Sequence, residues 1–211
     1  MDKPIIVNNN QEKLQQYNEF FGIDYDFTLN IMPLNHDDVI TYEHFIEKMP
    51  MPFKLASNMV TLDQAALRPI KASNNVTSQL VDFLNHQAKK IDLLIGYILS
   101  QQDEVQYRYQ GIKFGGGGVK FIAKTPFELG QQLEIKLFLL DDNCAVYCYG
   151  EVIAVSKKTE LSAQGDFQFQ HKVIFHFIRE DDRDVLVRAS LHEQSKQLQK
   201  LSQLRNQHSD D

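Results

Sequence analysis

The stretch Tyr107 to Phe121, YRYQGIKFGGGGVKF, decides the fold, because two alternating runs of strand-forming residues meet there across four consecutive glycines. Before it the chain has mostly helical and extended patterns, and after it come several strand patterns. Glycine has no Cβ, so its backbone can take positive φ or lie close to another group. We therefore expect a tight hairpin, with a bulge or a ligand cradle as alternatives. The four residues are Gly115, Gly116, Gly117 and Gly118.

The residues after the glycines exclude two common nucleotide-binding loops. A P-loop has the pattern GxxxxGK[ST] between a strand and a helix, whereas Gly118 is followed here by Val119, Lys120 and Phe121, which begin a second strand. A dinucleotide-binding GxGxxG loop also opens a helix. No helical pattern starts at this point, so a turn between two strands is the simpler interpretation.

Composition and charge narrow the class of protein. The 211 residues carry a formal net charge of −6 with a pI near 5.6, which argues against a general binder of nucleic-acid polymers. A local basic site could still hold an anionic nucleotide. The chain has no run of about 18 apolar residues, and its first ten residues lack the apolar core of a signal peptide. We therefore expect a cytoplasmic protein without a membrane span.

The residue types that usually act in catalysis or metal binding are scattered along the sequence. Cys144 and Cys148 lie four apart in a predicted strand, so their Cα atoms should be about 13 Å apart, beyond the reach of a disulfide. None of the seven histidines belongs to a recognisable nucleophile or HExxH motif. His171 and His176 are five apart in one predicted strand and should point to opposite faces. We expect no catalytic residues, no metal site and no bound cofactor.

From about Asn74 to Gln101, apolar residues recur at alternating steps of three and four, as in a heptad seam. A second apolar row lies beside the first, and this width favours either packing on the chain's own domain or a bundle of more than two helices. We expect a long amphipathic helix over residues 74–103 that mediates oligomerisation. The residues expected at the interface are Leu80, Val81, Leu84, Ala88, Ile91, Leu94, Ile95 and Ile98.

After Asp103 the period of the apolar pattern changes to two, and five or six closely spaced antiparallel strands favour a small barrel. From Glu180 the pattern returns to helix. The predicted fold class is therefore α+β. The expected domains are a helical or mixed N-terminal module at 1–73, the oligomerisation helix at 74–103, the barrel with its C-terminal helix at 104–205, and a frayed tail at 206–211.

Four short segments, taken in order, resemble the PilZ domain family. They are GVKF at 118–121, TPFELG at 125–130, GEVIAV at 150–155 and VIFHFIREDDRDVLVRA from Val173, and they cover roughly residues 105 to 195. A long helix just before the barrel is similar to the atypical, tetramer-forming subgroup, in which a heptad-bearing helix assembles the oligomer. The resemblance implies a PilZ-like barrel and a role in bacterial cyclic di-GMP signalling that affects motility, biofilm or virulence.

The resemblance also implies two ligand motifs, and this sequence departs from both. In ligand-binding members an RxxxR loop before the first strand grips phosphates and guanine, and a [DN]xSxxG motif lies at the hairpin. When the last glycine of the second motif is aligned with Gly118, Lys113 replaces the acidic or amide residue and Gly115 replaces the serine. No upstream arginine pair has the required spacing, and Arg108 stands alone. Each lost charge-assisted hydrogen bond removes about 1.5–3 kcal/mol, so the usual binding mode is not expected.

Three functions are compatible with these observations, and the first is the leading hypothesis. The chain is interpreted as a non-catalytic adaptor that forms a homo-oligomer, with a tetramer among the candidates, and binds an unidentified protein. The alternative is a cyclic di-GMP receptor in which Arg108, Lys113, Lys120 and the free N–H groups of Gly115 to Gly118 hold the phosphates. Lysines on the outer face of a strand are usually solvated. An enzyme is the least favoured class.

Overall fold

The computed structural model describes residues 6–35, 40–56, 75–139, 144–158 and 168–207. Within the predicted N-terminal module, residues 57–73 lie outside these ranges, as do residues 208–211 of the predicted tail. Residues 51–56 are helical. The other elements are α1 (Ile6–Glu19), β1 (Gly22–Pro33), α2 (Tyr42–Lys48), α3 (Asn75–Ser100), a 3-10 turn (Val105–Tyr107), β2 (Arg108–Gly115), β3 (Gly118–Ala123), β4 (Gln132–Leu139), β5 (Cys144–Lys157), β6 (Phe169–Phe177) and α4 (Glu180–Gln207).

Six strands among the described residues close into an antiparallel barrel in the order β1-β2-β3-β6-β5-β4. Alternate residues point inward, and on β4 these include Leu133, Ile135 and Leu137, all without solvent exposure. Closure satisfies the backbone groups that a free sheet edge would expose. The predicted α+β class and the small barrel are confirmed.

Strand β1 belongs to the barrel, although the sequence placed it in the N-terminal module. It pairs with β2 on one side and with β4 on the other, and Phe27, Leu29 and Ile31 on its inner face are buried. The predicted boundary between residues 103 and 104 therefore does not separate the barrel from the preceding chain. The alternation within β1 shows that it is a strand but carries no information about partners that begin beyond residue 107.

A second apolar cluster lies on the outside of the barrel, against β4 and β5. Phe45 of α2 stacks on Tyr147 with ring centroids 5.7 Å apart, and Phe53 lies 6.4 Å from Phe138. Leu99, near the end of α3, joins the same cluster. The N-terminal region therefore covers one side of the barrel.

The predicted long helix is present as α3. Its C-terminal end is anchored, because Leu99 is buried and Ile95 packs against the outer cluster. Farther along the predicted seam, Leu80 is 54% exposed and Leu94 is 62% exposed. Across the described ranges, no helix combines the length and apolar character that a membrane crossing requires.

A buried asparagine fixes the connection between α3 and the barrel. Asn30 Nδ2 donates to Asp103 Oδ1 at 2.9 Å and to the Glu104 carbonyl at 3.2 Å, and the Glu104 N–H donates to Asn30 Oδ1 at 2.7 Å. Lys136 Nζ also lies 2.7 Å from Glu104 Oε1. These contacts hold the residues after α3 on the barrel wall and thereby set the direction in which the helix leaves it.

Candidate functional site at the glycine hairpin

The four glycines form the predicted tight hairpin between β2 and β3. Gly115 pairs with Gly118, and Gly116 and Gly117 make the turn. Among the described residues, the only glycine with positive φ is Gly130, at +81°. The hairpin therefore uses glycine for close approach to other groups and not for a left-handed backbone.

The groups that approach the glycines come from the chain itself. A Cβ at Gly118 would overlap the carbonyl oxygen of Val173 and would lie 2.8 Å from the ring of Tyr17. A Cβ at Gly117 would lie 2.7 Å from the Phe20 ring. Aromatic side chains from the end of α1 therefore occupy the space that the missing side chains leave open.

Helix α4 closes the other side of the turn. Arg183 Nη1 donates a hydrogen bond of 2.7 Å to the Gly116 carbonyl oxygen, and its guanidinium lies 5.2 Å from the Phe20 ring centroid. A Cβ at Gly116 would lie 2.8 Å from Val187. The hairpin turn is thus held between α4 and the corner where α1 meets β1.

Helix α1 is fastened to the outer wall by one ion pair and one aromatic residue. Lys13 Nζ donates to both carboxylate oxygens of Glu151, at 2.6 and 2.8 Å. Tyr17 packs against Ile153 and Ile174. Burial, with a smaller effect of the nearby Asp24 carboxylate, raises the pKa of Tyr17 to about 12, so this residue remains a neutral phenol.

A cavity of about 260 Å³ remains between the α1 corner and the hairpin. Tyr17, Phe20 and Phe21 line one side, and Lys113 lies on the other side with the hairpin glycines. The walls thus combine aromatic surface with one cation and with backbone groups. This arrangement could accept a small anionic group beside an aromatic ring.

Lys113 is the first member of a row of three lysines across the outer wall. Lys113 on β2 pairs in register with Lys120 on β3, and Lys120 pairs with Lys172 on β6. None of the three forms an ion pair within 4.0 Å with another described residue; the ion pairs found there join other groups. Burial and the positive charges of Lys172 and Lys113 lower the pKa of Lys120, against the opposing effect of Asp24.

The structure does not bring Arg108 to this site. Arg108 begins β2, and the strand length up to Gly115 separates it from the hairpin by about 24 Å. Its guanidinium pairs with Asp103 at 2.8 Å. Because β1 is the first barrel strand, an RxxxR loop would have to precede Gly22, and no arginine occurs before that residue.

His171 is a buried polar residue whose role the sequence did not reveal. Its Nε2 accepts the Phe127 N–H at 3.0 Å, and its ring stacks on Phe121 with centroids 4.7 Å apart. Burial lowers its pKa to about 4, so the ring is neutral and ties the loop after β3 to β6. His176 is exposed, in agreement with the predicted opposite faces. Within the described part of the chain, no cluster of acidic, histidine or cysteine side chains could hold a metal ion.

A family model for the PilZ domain matches residues 85–192, slightly more than half of the chain, from within α3 into α4. The chain belongs to the PilZ domain family. The family assignment made from the four segments is therefore confirmed, and the matched range includes the hairpin and five of the barrel strands. Among curated proteins, none matches the sequence significantly.

Several solved structures are similar to this chain at low sequence identity. A Xanthomonas campestris protein, described as a tetrameric PilZ domain self-assembled through an unusual helical bundle, is 14% identical over 88% of this chain and 96% of its own, with a TM-score of 0.52. The cyclic di-GMP-bound PilZ domain of Escherichia coli YcgR is 11% identical over 47% of this chain and 83% of its own, with a TM-score of 0.39. Bacillus subtilis MotI is 8% identical over 84% of this chain, with a TM-score of 0.42, and this chain covers only 51% of it.

Proposed function

We propose that this PilZ protein is a non-catalytic adaptor of bacterial cyclic di-GMP signalling that acts by binding other proteins. The observation that carries the proposal is the seating of Tyr17 and Phe20 on Gly118 and Gly117. The chain's own aromatic residues fill the hairpin, where a ligand-binding relative presents the side chains of its second motif. Membership of the PilZ family supports the signalling context.

The sequence at both motif positions supports the same proposal. Lys113 and Gly115 replace the guanine-binding side chains of the second motif, and no arginine precedes β1. Arg108, the arginine that the sequence assigned to the site, pairs with Asp103 at the far end of β2, and Arg183, which lies at the hairpin, donates to the Gly116 carbonyl oxygen. A cyclic dinucleotide would therefore meet neither the paired arginines of the first motif nor the side chains of the second motif at their usual positions.

The adaptor is proposed to be a homo-oligomer assembled through α3. Leu80, Ile91, Leu94 and Ile98 lie on one face of α3, and all four are exposed in the single chain. Complete burial of each would contribute about 1.5–3 kcal/mol before entropy is subtracted. A tetramer is the first stoichiometry to test, because the Xanthomonas campestris protein with the same fold is described as tetrameric.

Light-scattering mass tests the assembly. We expect wild-type protein to have a mass several times the 24.4 kDa of one chain, and Leu84→Asp with Ile91→Asp to reduce it to one or two chains, since buried unpaired carboxylates are costly. Lys89→Asp, an equivalent charge change on the exposed opposite face, is the matched control and should keep the wild-type mass. A wild-type mass of one chain would contradict the proposal.

A complementation assay tests the adaptor role directly. In a host whose copy of the gene has been deleted, the motility or biofilm defect should be restored by Lys113→Ala with Lys120→Ala. The α3 double variant should not restore it. The reverse result would show that the hairpin site, and not the assembly, carries the function.

A second candidate function, a cyclic di-GMP receptor with an altered site, is favoured by the cavity beside Lys113 and by the lysine row, which has no ion-pair partner among the described residues. Isothermal titration with cyclic di-GMP distinguishes the two. The adaptor proposal predicts no saturable heat up to high micromolar ligand. Saturable binding that is lost in Lys113→Ala with Lys120→Ala, but kept in the exposed-lysine control Lys200→Ala, would establish the receptor instead.

A further inference from the structure

Three polar side chains stand side by side on the outer wall of the barrel, close to the end of α3. Asn30 on β1 pairs in register with Arg108 on β2 and with Lys136 on β4. Residues that lie directly opposite each other point to the same face of a sheet, so an amide stands between two cations in one row. Asn30 and Lys136 are both buried, and buried polar groups are costly unless they are bonded.

Two consecutive acidic residues that follow α3 lie across this row. Glu104 Oε1 is 2.7 Å from Lys136 Nζ, and Asp103 Oδ2 is 2.8 Å from Arg108 Nη2. Between the two ion pairs, the Asn30 amide bonds both the Asp103 carboxylate and the Glu104 backbone. Three adjacent strands therefore hold the segment that leaves α3. We call these five residues the α3 clamp.

Helix α3 has little other support. Ile95 and Leu99 are the only α3 residues that join the apolar clusters of the described chain, whereas Leu80 and Leu94 are exposed. The helix between residues 75 and 94 is about 29 Å long. A tilt of about 10° at its base would therefore move its far end by about 5 Å, close to the pitch of a helix. The angle at the base decides where the apolar face is presented.

We propose that the α3 clamp is a positioning device for the assembly: it holds α3 at one angle, so that the apolar face is ordered before a second copy binds. Ordering a free arm during association costs conformational entropy, and a preordered surface avoids that cost. The inference rests on the proposed assembly through α3 and adds the residues that control its affinity. It also gives a role to Arg108, which the sequence had offered as a phosphate ligand.

The members of the clamp contribute unequally. Asn30 makes three hydrogen bonds, and its loss leaves the Glu104 N–H without this acceptor. Lys136 is buried and pairs with Glu104. The Arg108 side chain is 45% exposed, and exposed ion pairs contribute little. The expected order of effects is therefore Asn30, Lys136 and Arg108, from the largest to the smallest.

Distances between two spin labels test the positioning itself. The labels are attached at Asp82→Cys on α3 and Glu128→Cys on the loop after β3, which are both exposed positions. The parent chain carries Leu84→Asp and Ile91→Asp, with both native cysteines replaced by alanine. It should give one narrow distance distribution, and Asn30→Ala should broaden it. A broad distribution in the parent, or an unchanged one in Asn30→Ala, would overturn the proposal.

Lys136→Met separates positioning from stability. Methionine is of similar length, carries no charge and suits a buried position, so the dissociated chain should keep or gain free energy of unfolding while the distance distribution broadens. Lys136→Arg retains the pairing with Glu104 and should keep the narrow distribution. Lys120→Met removes the same charge from a lysine without an ion pair in the described chain, and is the matched control. A loss of stability with unchanged distances would show that the pair supports the fold and does not position α3.

Light scattering during dilution tests the consequence for assembly. Asn30→Ala should raise the concentration at which the assembly dissociates by about tenfold or more, and Lys120→Met should not change it. Dissociation of Asn30→Ala at the wild-type concentration, although the labels show a broad distribution, would overturn the proposal. A wild-type mass of one chain would overturn the proposed assembly and with it this role. The label distances use the dissociated chain, so they report on the clamp in either case.

Discussion

At the hairpin between β2 and β3, residues without side chains are covered on both sides, whereas along α3 large apolar side chains stay in contact with solvent. Gly117 and Gly118 meet Phe20 and Tyr17 at contact distance, while Leu94 is 62% exposed. A glycine run suggests a ligand and an apolar heptad suggests a core. In this chain the space beside the glycines is occupied by the protein's own aromatic side chains, and the apolar face of α3 is not covered by the protein's own residues.

The difference has a physical basis. Missing side chains at the hairpin allow the α1 corner to lie against the backbone, so an intramolecular contact already uses the space. An apolar helix face in water loses the transfer free energy that burial would provide, and such surfaces on folded proteins usually mark contacts with other molecules. Intermolecular binding is therefore expected at α3 before it is expected at the hairpin.

The largest effect is expected for Gly118→Ala, which tests the packing at the hairpin. The added Cβ would overlap the Val173 carbonyl oxygen, which is backbone and cannot turn away, and we expect a loss of about 3–4 kcal/mol in the free energy of unfolding. Gly117→Ala meets the Phe20 side chain, which can rotate, and should cost about 1 kcal/mol. Urea unfolding measures both values. Equal losses would show that the α1 corner is not seated as described.

The stability of the barrel should depend on pH through the buried His171. Burial lowers the pKa of His171 from 6.5 to about 4, so between these values the unfolded chain binds the proton and the folded chain does not. The free energy of unfolding is therefore highest above pH 6.5 and decreases as the pH falls to 4, by about 3 kcal/mol in total. Chemical unfolding between pH 4 and 7 measures the slope. His171→Phe should flatten it, and an unchanged slope would assign the dependence to other groups.

The smallest effect on the stability of the single chain is expected from a substitution on α3. Leu94→Gln replaces an exposed side chain, so the free energy of unfolding of the dissociated chain should change by less than about 0.5 kcal/mol, while the assembly should weaken. Dilution followed by light scattering measures the weakening of the assembly. Thermal unfolding of the dissociated protein measures the change in chain stability. A large loss of chain stability would mean that Leu94 packs inside its own chain.

The local periodicity of the sequence was sufficient to determine the secondary-structure elements of this protein. The alternation in β1 and the heptad spacing between Leu80 and Ile98 specify a strand and a helix, because side-chain direction in each is set by backbone geometry within a few residues. The same local spacing identified the hairpin, the closing helix and the PilZ segments in their order.

Tertiary structure alone decided which surfaces are occupied. It placed β1 between β2 and β4, left Arg108 at the far end of its strand, and laid Tyr17 and Phe20 over the glycines. These contacts join residues far apart in the chain, and periodicity gives the face on which a side chain lies but not what meets that face. The sequence therefore predicted a site at the hairpin, and the packing of α1 determined that the chain's own residues fill most of it.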